Sequence, residues 1–270
     1  MCASISRGWS EAGAGARRRT MPIVVSESEG LRVLTFGTGW VQGAMRLDAP
    51  DRLELAYAVR MCAWLLFHDP DTLARKHLVT LGLGAGSLTR FAHRSLGMQA
   101  TAVEIDERVI DACRQHFLLP ADGEGLRVVH ADAAAFVARP EARDSIDILQ
   151  VDAYDADARR PILDSEAFYA DCRACLRADG TVAVNLLGAG LDVRASVARL
   201  RTGLRPRAVW QFPPTPSGNV VVIAHCGELP GDDLIAERAA LIEARWDLPA
   251  PAWTAMARRW SAAMQAGAPG

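Results

Sequence analysis

The sequence predicts an α/β protein built on a mostly parallel sheet with helices on both faces. Three observations predict it. From residue 76 onward, short apolar runs alternate with helical patterns, as strand–helix–strand crossovers require. One such run, Leu78-Val-Thr-Leu81, enters the glycine-rich turn Gly82-Leu-Gly84-Ala-Gly86 and then a helical segment. The next apolar run, Ala102-Val-Glu-Ile, carries an acid, Glu104, 22 residues after Gly82. Glycines let a backbone turn sharply and approach a ligand where a Cβ would collide. An acid ending the second strand can accept hydrogen bonds from both hydroxyls of a ribose. Together they point to a nucleoside site, and so to an adenosyl compound.

The elements follow in order. Ile23–Ser26, Leu31–Gly37 and Trp40–Arg46 alternate or are rich in β-formers, and Gly30 and Gly37-Thr-Gly39 punctuate them, so hairpins are expected. Pro50 and Asp51 suit the start of a helix running to about Phe67, with Tyr57, Met61 and Trp64 at helical spacing. Strands are expected near 77–82, 99–104, 126–130, 146–152, 180–187, 206–212 and 218–226. Helices are expected near 86–96, 107–117, 132–139, 165–177, 191–203 and 231–246, with a short one around Trp253–Met264. Pro213-Pro-Thr-Pro-Ser-Gly218 is too short for a crossover helix, so the last two strands should pair antiparallel. The whole is a Rossmann-like, seven-stranded sheet of the methyltransferase type with a small N-terminal β-hairpin region. It divides into a disordered tail (1–20), the hairpin region (21–50), an adenosyl-binding catalytic domain (51–246) and a C-terminal extension (247–270).

Bulk properties exclude several classes. Half of the 270 residues are hydrophobic, enough for a sizeable core, and no apolar run approaches the length of a membrane span. The net charge of −2 argues against a nucleic-acid partner. Arg17-Arg-Arg19 is followed by an acidic rather than an apolar segment, which counts against an export signal, and Met21 is an alternative start. A cytoplasmic location is expected. Cys172-Arg-Ala-Cys175 has metal-ligand spacing but lies in an amphipathic helix without the further ligands that zinc needs, so both thiols are expected in the core and no metal site is expected.

Three further segments carry chemistry. Val128-Val-His-Ala-Asp132 ends a strand on an acid that could hold an adenine amino group or cap the following helix. The fourth parallel strand ends in Asp152-Ala-Tyr-Asp155-Ala-Asp157. Clustered carboxylates at that sheet edge raise one another's pKa and suit an amine substrate. A solvated acidic loop is the plainer alternative. His130 and His225 lie on strands and are expected to be buried structural residues; Trp40, Trp64 and Trp210 are expected to fill the core or pocket walls.

Taken together these pieces resemble the spermidine synthase family, the polyamine aminopropyltransferases, over roughly residues 22–226. The resemblance runs through Ser26-Glu-Ser-Glu-Gly30, Val41-Gln42, Leu53-Glu-Leu-Ala-Tyr57, the glycine loop and Val103-Glu-Ile-Asp106. It continues through His130-Ala-Asp132, Asp147–Asp155, Ser165-Glu-Ala-Phe-Tyr169 and Leu176-Arg-Ala-Asp-Gly180. It implies transfer of an aminopropyl group from decarboxylated S-adenosylmethionine, a co-substrate rather than a prosthetic group, to an amine acceptor. By position, Gln42 would contact the nucleoside, Glu104 the ribose, Asp132 the adenine amino group, and Gly82, Gly84 and Gly86 would form the donor loop. Asp152 would orient and deprotonate the amine, with Asp155 and Tyr57 along its path. The hairpins would pack in a homodimer, or close as a lid on a monomer. Departures are plain: Ala85 stands where the family loop carries an aspartate, Tyr57 lacks the following acid, and Ala156 replaces a proline. The chain is thus expected to be a divergent member. An S-adenosylmethionine-dependent methyltransferase and a non-catalytic nucleoside- or polyamine-binding relative are the alternatives.

Overall fold

The computed structural model describes residues 22–37, 41–153, 163–187 and 191–261. The expected tail, Trp40, Asp155 and Asp157 lie outside them.

Three antiparallel strands open the described chain: β1 (Val24–Ser28), β2 (Leu31–Thr35) and β3 (Val41–Arg46), in the order β1-β2-β3. The turn between β1 and β2 places Glu29 and Gly30 at positive φ. The expected helix from Pro50 to Phe67 is shorter: α1 spans Ala56–Met61, and Cys62–Phe67 tightens into a 3₁₀ turn. No side chain caps α1 at Leu55. Buried Met61, Trp64 and Leu65 hold the segment by packing rather than by propensity.

The second sheet contains β4 (His77–Leu81), β5 (Gln99–Glu104), β6 (Leu126–His130), β7 (Ile146–Val151), β8 (Leu176–Leu186), β9 (Ala208–Gln211) and β10 (Val220–His225). These are the seven expected strands. A short eighth, β11 (Arg258–Arg259), pairs with β9 and gives the order β11-β9-β10-β8-β7-β4-β5-β6. Pairing is parallel from β8 to β6 and antiparallel for β8–β10, β10–β9 and β9–β11. The C-terminal helix around Trp253–Met264 is instead Ala250–Met256, and the chain then extends to reach β9.

Helices α2 (Ser87–Arg90), α3 (Glu107–His116), α4 (Ala133–Val137), α5 (Glu166–Cys175), α6 (Val193–Leu204), α7 (Asp232–Trp246) and α8 (Ala250–Met256) cover the two faces. One core gathers Met61, Trp64, Phe91, Ile110, Ile242 and Trp253; the other gathers Leu149, Tyr169, Cys172, Val184, Leu200 and Val222. Cys172 and Cys175 are buried, and burial pushes both thiols up, which leaves them unreactive.

Thr181 lies in the buried run of strand β8. Its hydroxyl lies 2.8 Å from His68 Nε2 and 2.8 Å from His225 Nδ1, and His225 Nε2 lies 3.2 Å from the Glu228 carbonyl. His225 must donate to that carbonyl, so its Nδ1 accepts from Thr181, whose oxygen then accepts from His68. That pattern needs both rings neutral, and burial favours it by lowering both pKa values. His225 is buried as expected. His130 is not: it is exposed on edge strand β6, with Nε2 3.0 Å from the Ile105 carbonyl.

Candidate active site

The carboxyl ends of β4, β5 and β7 are tied together by the glycine turn. Gly82 N donates to Val103 O (2.8 Å) and Asp152 N donates to Leu81 O (2.9 Å). Gly82 is at φ +92°, and a Cβ there would strike the carbonyl of Asp152. Gly84 is at φ +52°, and its Cβ would lie 2.7 Å from the Gln42 carbonyl. The backbone of β3 therefore rests directly on the loop. Gly43 completes the contact, since a Cβ on it would lie 2.5 Å from that of Ala85. Ser87 Oγ donates to Ala44 O at 3.0 Å.

Glu104 braces this loop. Its Oε2 accepts from Leu83 N and its Oε1 from Asp106 N, both at 2.9 Å. Helix α3 is capped by Asp106, not Glu104, through Arg108 N at 3.0 Å. Burial raises the Glu104 pKa against the lowering pull of the amides. Each carboxylate oxygen has a second lone pair, so the group can still accept from hydroxyls.

Asp152 is half-buried at the end of β7. Its Oδ1 accepts from Asn185 Nδ2 at 2.8 Å, and it is hydrogen-bonded to the Tyr57 hydroxyl. Burial pushes its carboxyl up to about 6, with those two bonds pulling the other way. Gln42, Gly43, Tyr57, Gly82, Gly84 and Asp152 line one narrow cleft with about 20 Å³ of free space, room for about one water.

The sequence-predicted residues thus divide. Gln42, Tyr57, Gly82, Gly84 and Asp152 share the cleft, and Glu104 adjoins it through Leu83. Gly86, at φ +70°, is the N-cap of α2. Asp132 is exposed and caps α4, accepting from Ala135 N at 2.8 Å; of its two readings the cap is the one seen in the structure. Asp155 lies outside the described residues. Ala85 also lines the cleft and packs with Leu34 and Met45 beneath the N-terminal sheet, so no charge stands at the loop's fourth position.

Two residues escaped the sequence reading. Asn185 is a polar interruption in the apolar run Thr181–Leu186, a signal that was present. Arg90 is fully buried on α2. Its Nε and Nη2 donate to Pro50 O (3.1 and 2.7 Å), and its Nη1 donates to Ala85 O (3.1 Å) and Phe117 O (2.8 Å). Nothing in its helical spacing distinguishes it from a surface arginine.

Residues 66–185 match the spermine/spermidine synthase domain family. A protein of Neisseria meningitidis named polyamine aminopropyltransferase is 34% identical over 201 residues, 74% of this chain and 74% of its own length. One of the same name from Chromobacterium violaceum is 31% identical over 242 residues, 86% of this chain and 90% of its own. The crystal structure of a probable spermidine synthase from Corynebacterium glutamicum superposes with a TM-score of 0.70 at 18% identity, covering 91% of this chain and 89% of that one, a likeness of fold. With the glycine turn, the bracing glutamate and the strand-end aspartate in the order that family resemblance requires, and relatives matching along most of their length, the chain belongs to the spermine/spermidine synthase family.

Proposed function

We propose that the chain is a polyamine aminopropyltransferase, moving an aminopropyl group from decarboxylated S-adenosylmethionine to an amine. The observation that carries this reading is Asp152: a carboxyl with a pKa of about 6, facing the glycine-loop cleft beside Tyr57. A base works best when its pKa lies near the operating pH. A neutral amine attacks the carbon beside the sulfonium; the new C–N bond forms as the C–S bond breaks, and methylthioadenosine leaves. The proton lost by the amine nitrogen goes to Asp152. Positioning two reactants in line supplies much of the remaining acceleration.

In this reading Glu104 holds the ribose hydroxyls, Gln42 the nucleoside, and Asp132 the adenine amino group, while Tyr57 and Asp155 line the amine path. The narrow cleft implies that donor binding parts β3 from the loop. Exposed Val24 and Val41 on the outer strands of the N-terminal sheet fit a homodimer packed there. Among the described residues five free thiols, four of them buried, fit the reducing cytoplasm. Among the described residues no helix is long and apolar enough to cross a membrane.

Ala85 favours a second reading, methyl transfer from S-adenosylmethionine, because no carboxylate at that position discriminates against the donor's own carboxylate. Release of methylthioadenosine from the decarboxylated donor and a diamine tests the first reading. Calorimetric binding of the carboxylated donor much tighter than the decarboxylated one would decide for the second.

A further inference from the structure

Behind Asp152, a row of buried polar side chains runs away from the cleft. Asn185, Asn219 and Thr215 are 3%, 4% and 6% exposed, so each must find its partners inside the protein. Asn185 Nδ2 donates to Asp152 Oδ1 (2.8 Å), Asn219 Nδ2 donates to Asn185 Oδ1 (3.0 Å), and Thr215 Oγ1 donates to Asn219 Oδ1 (3.3 Å).

The direction of every bond is forced. An ionised carboxylate only accepts, so Asn185 turns its amino group toward it and its carbonyl toward Asn219. Asn219 must then present its amino group and leave its carbonyl for Thr215. At the far end, Asn219 N donates to Thr215 Oγ1 at 3.0 Å, so the hydroxyl's own proton is free for the Asn219 side chain. The surrounding turn is held independently by the backbone, through Thr215 N to Asn219 O and Gly218 N to Thr215 O, both at 2.8 Å. The side chains are not needed to close it.

We propose that Thr215, Asn219 and Asn185 form a one-way hydrogen-bond relay that aims Asp152 at the cleft and favours its ionised form, making all three positioning residues. Aligned bonds of this kind polarise one another, and their positive ends all face the carboxylate. A proton on Asp152 Oδ1 would oppose the Asn185 donor, and a proton on Oδ2 would leave Oδ1 a neutral and weaker acceptor, so the contact is strongest in the ionised form. Tyr57, from α1, is the titratable group that touches Asp152; among the described residues no charged side chain contributes to the shift of its carboxyl. Asp155 and Asp157 follow in sequence outside the described residues. The role of the relay in turnover rests on reading Asp152 as the proton acceptor.

The test uses Thr215→Val, which removes the hydroxyl at nearly constant shape, and Thr215→Ser, which keeps it. The carboxyl carbon of Asp152, identified by its loss in Asp152→Asn, is titrated by NMR. In parallel, kcat/KM for methylthioadenosine release from decarboxylated S-adenosylmethionine and putrescine is followed against pH. Thr215→Val should move the Asp152 midpoint up by about half a unit, hence about a threefold loss of kcat/KM near the acid limb and little change at pH 8. Thr215→Ser should behave as the parent. An unmoved midpoint in Thr215→Val overturns the relay whatever the activity. A moved midpoint in a protein that releases no methylthioadenosine keeps the relay and removes the aminopropyl-transfer reading. Should Thr215→Val fail to fold by circular dichroism, Asn185→Leu takes its place; there the midpoint should rise by about one unit, and a midpoint equal to the parent's overturns the relay.

Discussion

One strand, β8, carries two buried polar networks four residues apart. At Thr181 the network closes on itself: two neutral histidines, a hydroxyl and a backbone carbonyl satisfy one another, remote from the glycine turn. At Asn185 the network is open: amides in series end on Asp152, whose carboxylate faces a cleft. Burial acts on both, but to opposite effect. It keeps the histidines uncharged and so leaves them structural, whereas it brings the aspartate's pKa toward neutrality, where a proton acceptor is useful. A buried polar cluster is thus read by where it ends rather than by its composition.

The sharpest way to break that contrast is Asp152→Asn. On the proposed role of Asp152 as general base, its loss should lower kcat by about two to four orders of magnitude. The same change should stabilise the protein. The folded carboxyl titrates at about 6 against 3.8 unfolded, so between those values the folded state binds more protons. The carboxyl's contribution to stability is therefore fully present below 3.8 and is lost as pH rises through 6, by up to about 3 kcal/mol. Asparagine escapes that loss, and its melting temperature at pH 7.5 should exceed the parent's. A variant that is both inactive and less stable would remove the distinction between the two networks.

Next in size is Glu104→Gln. The neutral amide keeps one acceptor and turns a donor toward the Leu83 or Asp106 amide. Loss of a charge-assisted bond, about 1.5–3 kcal/mol, should weaken the adenosyl donor about ten- to a hundredfold by calorimetry. Unaltered affinity would leave Glu104 a brace for the loop and nothing more.

Thr181→Val addresses the closed network. It strands His68 and His225, and urea denaturation should show a loss of about 1–3 kcal/mol with turnover unchanged. A turnover defect in a folded variant would mean that the two ends of β8 are coupled. The smallest effect concerns acid. Below 6.5 the unfolded chain takes up protons that the buried His68 refuses, so the ring's contribution is full above 6.5 and falls as pH drops through it. His68→Gln should flatten that slope by about 1.4 kcal/mol per pH unit. Equal slopes would place the ring's ordinary titration in the folded state.

Much of this was legible from residue order alone. The strands, the glycine turn, Glu104 and the strand-end Asp152 are local signals, since each depends on neighbours within a few positions. What failed to show was long-range. Asn185 meets Asn219 because β8 and β10 pair antiparallel, with Asn185 opposite Val221. No short-range pattern fixes that register. Strand β11 exists because Arg258 and Arg259 come to lie against Gln211 and Trp210. The start of α1 was misplaced because Pro50 and Asp51 look like a helix start, whereas the Pro50 carbonyl is held by Arg90 and the chain turns before winding. His130 sits in a strand that proved to be an edge, and edges do not bury what their sequence implies.

Arg90 carries a wider consequence. A single sealed guanidinium gathers carbonyls from residue 50, the glycine turn and residue 117. Lysine has neither the planar fork nor enough donors in fixed directions to serve the same three regions. The segment leaving the hairpin sheet, the glycine turn and the end of α3 are joined at this point, so loss of Arg90 should loosen all three together rather than one at a time.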